Sequence, residues 1–156
     1  MTTIRLILAA VDLSDLSAAV LDYAGSLTHA WNARLIVVHV VHDLSYFTTL
    51  YDTDTSLEEL QQRLEAEARE RLDAVCQSVL GDQVRYEALV MIGRPLVVIQ
   101  HLVREHQVDC LVMGAHSTDK PEHQLFGSTA ERLLQQITCP VLLVPPRTSS
   151  EFISQG

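Results

Sequence analysis

The sequence predicts a doubly wound three-layer α/β sandwich on a five-stranded parallel sheet, and three observations predict it. Short, continuous apolar runs rich in β-branched residues, such as 4–11 and 35–41, suit strands buried on both faces. Between such runs lie segments whose apolar residues step by three or four, the signature of amphipathic helices. The two kinds of segment alternate strictly, and alternation with right-handed crossovers gives a parallel sheet with helices on both faces.

The elements follow in order. After the first strand, 4–11, Ser14 is placed to cap a helix whose apolar positions are Leu16, Val20, Ala24, Leu27 and Trp31, ending near Asn32. The second strand is 35–41. A capping box from Ser56 to Glu59 opens a longer helix with Leu57, Leu60, Leu64, Ala68, Leu72, Val75 and Val79 on one stripe, stopped before Gly81. A third strand covers 84–92, and Pro95 suits the first position of a helix running to Glu105. The fourth strand is 108–113. Residues 128–136 form a helix behind Gly127, and Val141–Val144 is a last strand bracketed by Pro140 and Pro145, which strand ends tolerate. Segments 42–55 and 117–126 read as irregular. No internal repeat is present, so 1–146 is expected to be one domain and 147–156 a flexible C-terminal tail.

Composition narrows the function classes. With 156 residues, 47% of them hydrophobic, the chain can bury a sizeable single core. A formal net charge of -9 disfavours nonspecific binding to nucleic acid or to an anionic membrane. The N-terminal apolar run is too short to span a bilayer. Cys76, Cys110 and Cys139 are odd in number and far apart, which excludes a disulfide framework and is expected of a cytoplasmic protein. None of the seven histidines forms an H-x-x-x-H helix pair with a flanking carboxylate, so no metal site is expected. No nucleophile elbow or Ser/His/Asp set can be placed at one sheet edge either. A phosphorylation receiver would need an aspartate after the third strand, where this chain has Met91, Ile92 and Gly93.

The segment Gly114-Ala115-His116-Ser117, followed by Gly127-Ser128-Thr129, carries the chemistry. Gly114 falls at the carboxyl end of the fourth strand, where open α/β sheets bind ligands. Gly127 offers room for a close backbone approach, and Ser128 and Thr129 begin a helix whose N–H groups favour anions. Asp12 follows the first strand at the same edge, where its carboxylate can accept hydrogen bonds from a ligand or cap the next helix. Neither the dinucleotide fingerprint nor the Walker loop is matched.

The spacing is similar to G-x2-G-x9-G-[ST], the nucleotide loop of the universal stress protein family, with Ser117 where that pattern has its second glycine. Also similar are Ala10-Val11-Asp12-Leu13-Ser14, Val38-His39-Val40, Gly93-Arg94-Pro95 and the run from Cys139 to Pro145, so the resemblance covers nearly the whole chain. It implies the adenine nucleotide alpha hydrolase-like, Rossmann-like fold. It also implies a stress-response module binding ATP or AMP, with Mg2+ as an accompanying ion, and hydrolysing slowly if at all. The binding residues it implies are Val11, Asp12, Val40, Gly114, His116, Ser117, Gly127, Ser128 and Thr129. Homodimerisation through Val141–Val144 and a further protein partner are implied as well. A nucleotide-free dimeric scaffold of the same fold is the alternative, and Ser117 is the residue that favours it.

Overall fold

The computed structural model describes residues 1–45, 56–115 and 128–146, apart from the side chains of Ser56 and Ser128. Its elements run β1 (Leu6–Ala10), α1 (Ser17–Trp31), β2 (Arg34–Val41), α2 (Ser56–Val79), β3 (Tyr86–Ile92), α3 (Pro95–Glu105), β4 (Cys110–Gly114), α4 (Ser128–Gln136) and β5 (Val141–Val144). The sheet order is β3-β2-β1-β4-β5 and every pairing is parallel, as the alternation of elements predicts.

Alternating side chains send each central strand into two cores. Ile7, Ala9, Leu35, Val37 and Val112 pack with Val20, Leu21 and Ala24 of α1 and Leu72 and Cys76 of α2. Leu8, Ile36, Val38, Leu111 and Met113 pack with Ile99 and Leu102 of α3 and Leu133 of α4. Ile7, Leu8, Leu111 and Leu133 are completely buried, each worth about 1.5–3 kcal/mol relative to exposure. One carboxylate fastens the start of the central strand: Asp109 Oδ2 accepts the backbone N–H groups of Arg5 at 2.8 Å and Leu6 at 2.9 Å.

Helix starts and stripes depart from expectation in places. The helix after β1 begins at Ser17, not beside Ser14. The Ser14 hydroxyl makes no cap, and it is the Ser14 carbonyl that accepts the Ser17 N–H at 3.0 Å. Asn32 ends α1 in the left-handed region with φ 51°, as a C-terminal asparagine can. Trp31 and Leu60, assigned above to apolar stripes, are 44% and 41% exposed, while Leu21, Cys76 and Leu80 take the core positions instead. The third strand starts at Tyr86 because its pairing begins at Leu35 opposite Tyr86. Val84 still packs on the core, but ahead of the ladder.

Candidate functional site

β1 leads to α1 on one face of the sheet and β4 leads to α4 on the other, so β1 and β4 flank the point where the chain direction reverses. Crevices open at such points, outside the carboxyl ends of the strands. Here the crevice is a cavity of about 800 Å³. Its floor is the end of β1, β2 and β4, and its walls come from α1, α2, α3 and α4. Val11, Asp12, Val40, Gly114 and Thr129 all line it, so the structure brings together the five expected site residues that can be placed in full. Ser128 opens α4 beside Thr129. His116, Ser117 and Gly127 lie outside the described residues.

The β1–α1 turn is held on three sides. Asp12 Oδ1 accepts the Ser14 N–H at 3.0 Å and the Ser17 hydroxyl at 3.4 Å, so the carboxylate shapes its own turn. Its other oxygen, Oδ2, has no partner among the described residues, and Asp12 is exposed. Leu13 adopts φ 61°, a left-handed conformation that costs a branched residue about 1–2 kcal/mol, and its carbonyl accepts a hydrogen bond from Arg71 Nη2 of α2 at 2.8 Å. The Val11 carbonyl accepts from His39 Nδ1 at 2.9 Å. Since a carbonyl only accepts, Nδ1 is the donor of this bond and carries a hydrogen.

That last bond frees a backbone group. The Val38 carbonyl accepts from the Val11 N–H at 3.0 Å and the Val41 carbonyl accepts from the Gly93 N–H at 3.0 Å. Val38 therefore faces β1 and Val41 faces β3. Val40, two residues beyond Val38, faces the β1 side. A continued parallel ladder would give the Val40 N–H to the Val11 carbonyl. His39 occupies that acceptor instead, and the Val40 N–H and C=O open on the crevice with no backbone partner among the described residues. The Val40 side chain, half-buried, packs against the core beneath α3 and α4. Gly114 has a similar aspect. Leu111 and Ala115 donate to Pro140 and Val144 of the β5 side, so Gly114 between them faces the end of β1.

Sequence reasoning missed His39, Arg71 and Leu13. His39 had a signal. It shares the face of β2 that carries Leu35, Val37 and Val41, and a polar residue on such a face at a strand's carboxyl end marks either a cavity or a buried partner. Arg71 had none, because its acceptor is 58 residues away. Among the described residues no group of three or more metal-ligating side chains converges.

Comparison with known proteins agrees with this architecture. Residues 3–145 match the model of the universal stress protein family. Universal stress protein A homolog 1 of Coxiella burnetii is 33% identical over 141 residues, covering 88% of this chain and 94% of the relative. The solved structure of UspA from Lactobacillus plantarum superposes with a TM-score of 0.75 at 26% identity, covering 92% of this chain and 99% of that one. Two others share the fold at lower identity: a universal stress protein in complex with cAMP (TM-score 0.60, 22%) and one from Archaeoglobus fulgidus in complex with dAMP (TM-score 0.62, 17%). Each covers 92% of this chain and 98% of its own. With a parallel sheet of this order, a crevice at its switch point and a match spanning 3–145, the chain belongs to the universal stress protein family.

Proposed function

We propose that this protein binds an adenine nucleotide, ATP or AMP, in the crevice between β1 and β4 and acts as a homodimeric regulatory module of the stress response. The unpaired Val40 N–H and C=O carry the reading. A backbone donor and acceptor side by side on a strand end match the hydrogen-bonding edge of a base, and the Val11 carbonyl that would continue the ladder to the Val40 N–H is engaged by His39. Asp12 Oδ2 stands beside them as an acceptor for a ribose hydroxyl or an amine. A cavity of about 800 Å³ lies within the size of small-molecule sites. Relatives of the same fold bind cAMP and dAMP, which supports an adenine nucleotide as the ligand class.

In this reading the phosphates lie toward Gly114 and the amino end of α4, with His116, Ser117, Gly127, Ser128 and Thr129 around them. Mg2+ would arrive with the phosphates. The protein works by binding, and any ATP hydrolysis is slow. The domain spans 1–146, with 147–156 as a tail. Its three thiols are free, which suits the cytoplasm. No described helix is long and apolar enough to cross a membrane. The dimer forms through β5, a sheet edge whose Val141, Leu142 and Leu143 are only half-buried and whose outer backbone groups are available to a second copy.

Calorimetric titration of nucleotide-stripped protein with AMP and ATP tests the ligand, with Asp12→Ala and Gly127→Val as variants that remove an acceptor and crowd the phosphate loop. Saturable binding weakened by both variants is the expected result. Silence for both nucleotides up to millimolar concentration sinks the proposal in favour of the nucleotide-free scaffold, which Ser117 in place of a glycine favours. Sedimentation across a dilution series tests the dimer, and a monomer at every concentration rejects it.

A further inference from the structure

A second, smaller cavity of about 150 Å³ adjoins the main one and shares His42, Pro95 and Thr129 with it. The rest of its lining is Leu96 and two arginines, Arg94 and Arg132. Three residues able to carry positive charge thus converge here from three separate parts of the chain, with no acidic residue among the described residues of the lining. In a chain with 20 acidic and 11 basic residues, that concentration runs against the overall charge.

His42, Arg94 and Arg132 are all exposed, and Arg94 stands at a helix amino end. Arg94 is the N-cap residue of α3, and no acidic residue lies in that helix's first turn. Arg132 lies four residues after Ser128, the first residue of α4, and the one acidic residue of that helix's first turn is Glu131. Helix amino ends carry partial positive charge, so a cation placed there is repelled and an anion attracted. Among the described residues no carboxylate lies within ion-pair distance of either guanidinium. Gly93, with φ 150°, makes the turn that sets Arg94 in place. A Cβ at Gly93 would stand 3.0 Å from Val98 Cγ2, so a side chain there is disfavoured by both conformation and space. Two planar guanidinium groups offer several donors in a fixed fork, the geometry that phosphate oxygens accept.

We propose that the Arg94–Arg132–His42 cavity seats the terminal phosphate of a nucleoside triphosphate, so that the crevice distinguishes ligands by their number of phosphates. The inference rests on the nucleotide reading above. The nucleoside fills the larger cavity, the chain of phosphates passes Thr129, which belongs to both cavities, and the last phosphate lies between the arginines. A monophosphate does not reach them.

The test is calorimetric titration of the stripped, full-length protein with AMP, ADP and ATP at one ionic strength, repeated on Arg94→Gln/Arg132→Gln. The wild type is expected to bind ATP at least tenfold more tightly than AMP, with ADP between. In the double variant the two affinities should converge, with that for AMP changed less than twofold. Binding of ATP and AMP with equal affinity in the wild type, or an unchanged ratio in the double variant, overturns the phosphate seat and leaves nucleotide binding standing. Failure of every nucleotide to bind overturns both. Should the double variant not fold, by its urea midpoint, Arg94→Lys/Arg132→Lys replaces it. That variant keeps the charge and loses the fork, and retention of the full ATP preference in it rejects the bidentate seat.

Discussion

His39 Nδ1 lies 2.9 Å from the carbonyl oxygen of Val11, the acceptor that a continued β1–β2 ladder would offer to the open N–H of Val40. His39→Leu deprives that carbonyl of its donor. The expected cost is about 1–3 kcal/mol of stability, read from urea midpoints. Nucleotide affinity should fall at least about tenfold, because the Val40 N–H is then able to close on Val11. His39→Asn, whose amide can donate in place of Nδ1, should recover part of both losses. A His39→Leu protein that is less stable yet binds AMP as tightly as the wild type would show the histidine to be structural only.

Leu13 stands in the left-handed region at φ 61°, and its carbonyl is held by Arg71 at 2.8 Å. Leu13→Gly removes backbone strain along with a partly buried side chain, so its net effect on stability should stay below about 1 kcal/mol. Leu13→Val, β-branched and poorly suited to that conformation, should cost more than about 2 kcal/mol. Equal urea midpoints for the two variants would contradict the role given to backbone conformation here.

α1 closely approaches the segment that follows α2 at Gly25, where an added Cβ would stand 2.8 Å from Leu80 Cδ2 and 3.6 Å from Val84 Cγ2. Gly25→Ala gains helix propensity and displaces only a side-chain end, so it should lie within about 1 kcal/mol of wild type. Gly25→Val should destabilise by roughly 2 kcal/mol through overpacking. In a Leu80→Ala background most of that penalty should vanish, giving a coupling of at least about 1 kcal/mol in the double-mutant cycle. Strict additivity would rule out the contact as its source.

Burial pushes the Cys76 thiol up from 9.0 to about 11, with Asp73 adding to the shift. Between those values the unfolded chain has released this proton and the folded protein has kept it. Stability should therefore be flat below about pH 9 and fall as pH rises toward about 11. Cys110, Cys139 and Tyr86 are displaced in the same direction. Cys76→Ala should consequently flatten part of the slope, at a lower baseline caused by the cavity it leaves. Urea midpoints from pH 8 to pH 11 measure both, and an identical slope in the variant would discount the thiol.

The fold was legible because strand burial and helical periodicity are local signals. The runs around Ile7, Ile36 and Leu111 each encode a two-faced strand without reference to the rest of the chain. Element ends were less legible, since they depend on register. Val84 looks as much like strand as Tyr86 does, and only the pairing of Leu35 with Tyr86 separates them. In the site, Asp12 and Gly114 could be read from their places after apolar runs. The Ser14 cap could not, because Asp12 captures the Ser14 N–H and shifts the helix start to Ser17. The clamps on the turn, His39 and Arg71, reach acceptors 28 and 58 residues away, a relation no window of sequence contains.

The position of β1 also bears on how the chain is made. It leaves the ribosome before either of its sheet neighbours, yet it ends between β2 and β4, and its opening N–H groups are satisfied by a residue more than a hundred positions later. One of its edges can be covered once β2 has emerged. The other stays bare until Asp109 and β4 follow, so β2, α2, β3 and α3 are all synthesised while an apolar edge able to recruit a foreign strand is exposed. Interruption of synthesis anywhere between β2 and β4 would leave a fragment with that edge permanently uncovered, a species prone to aggregate or to be captured by a chaperone.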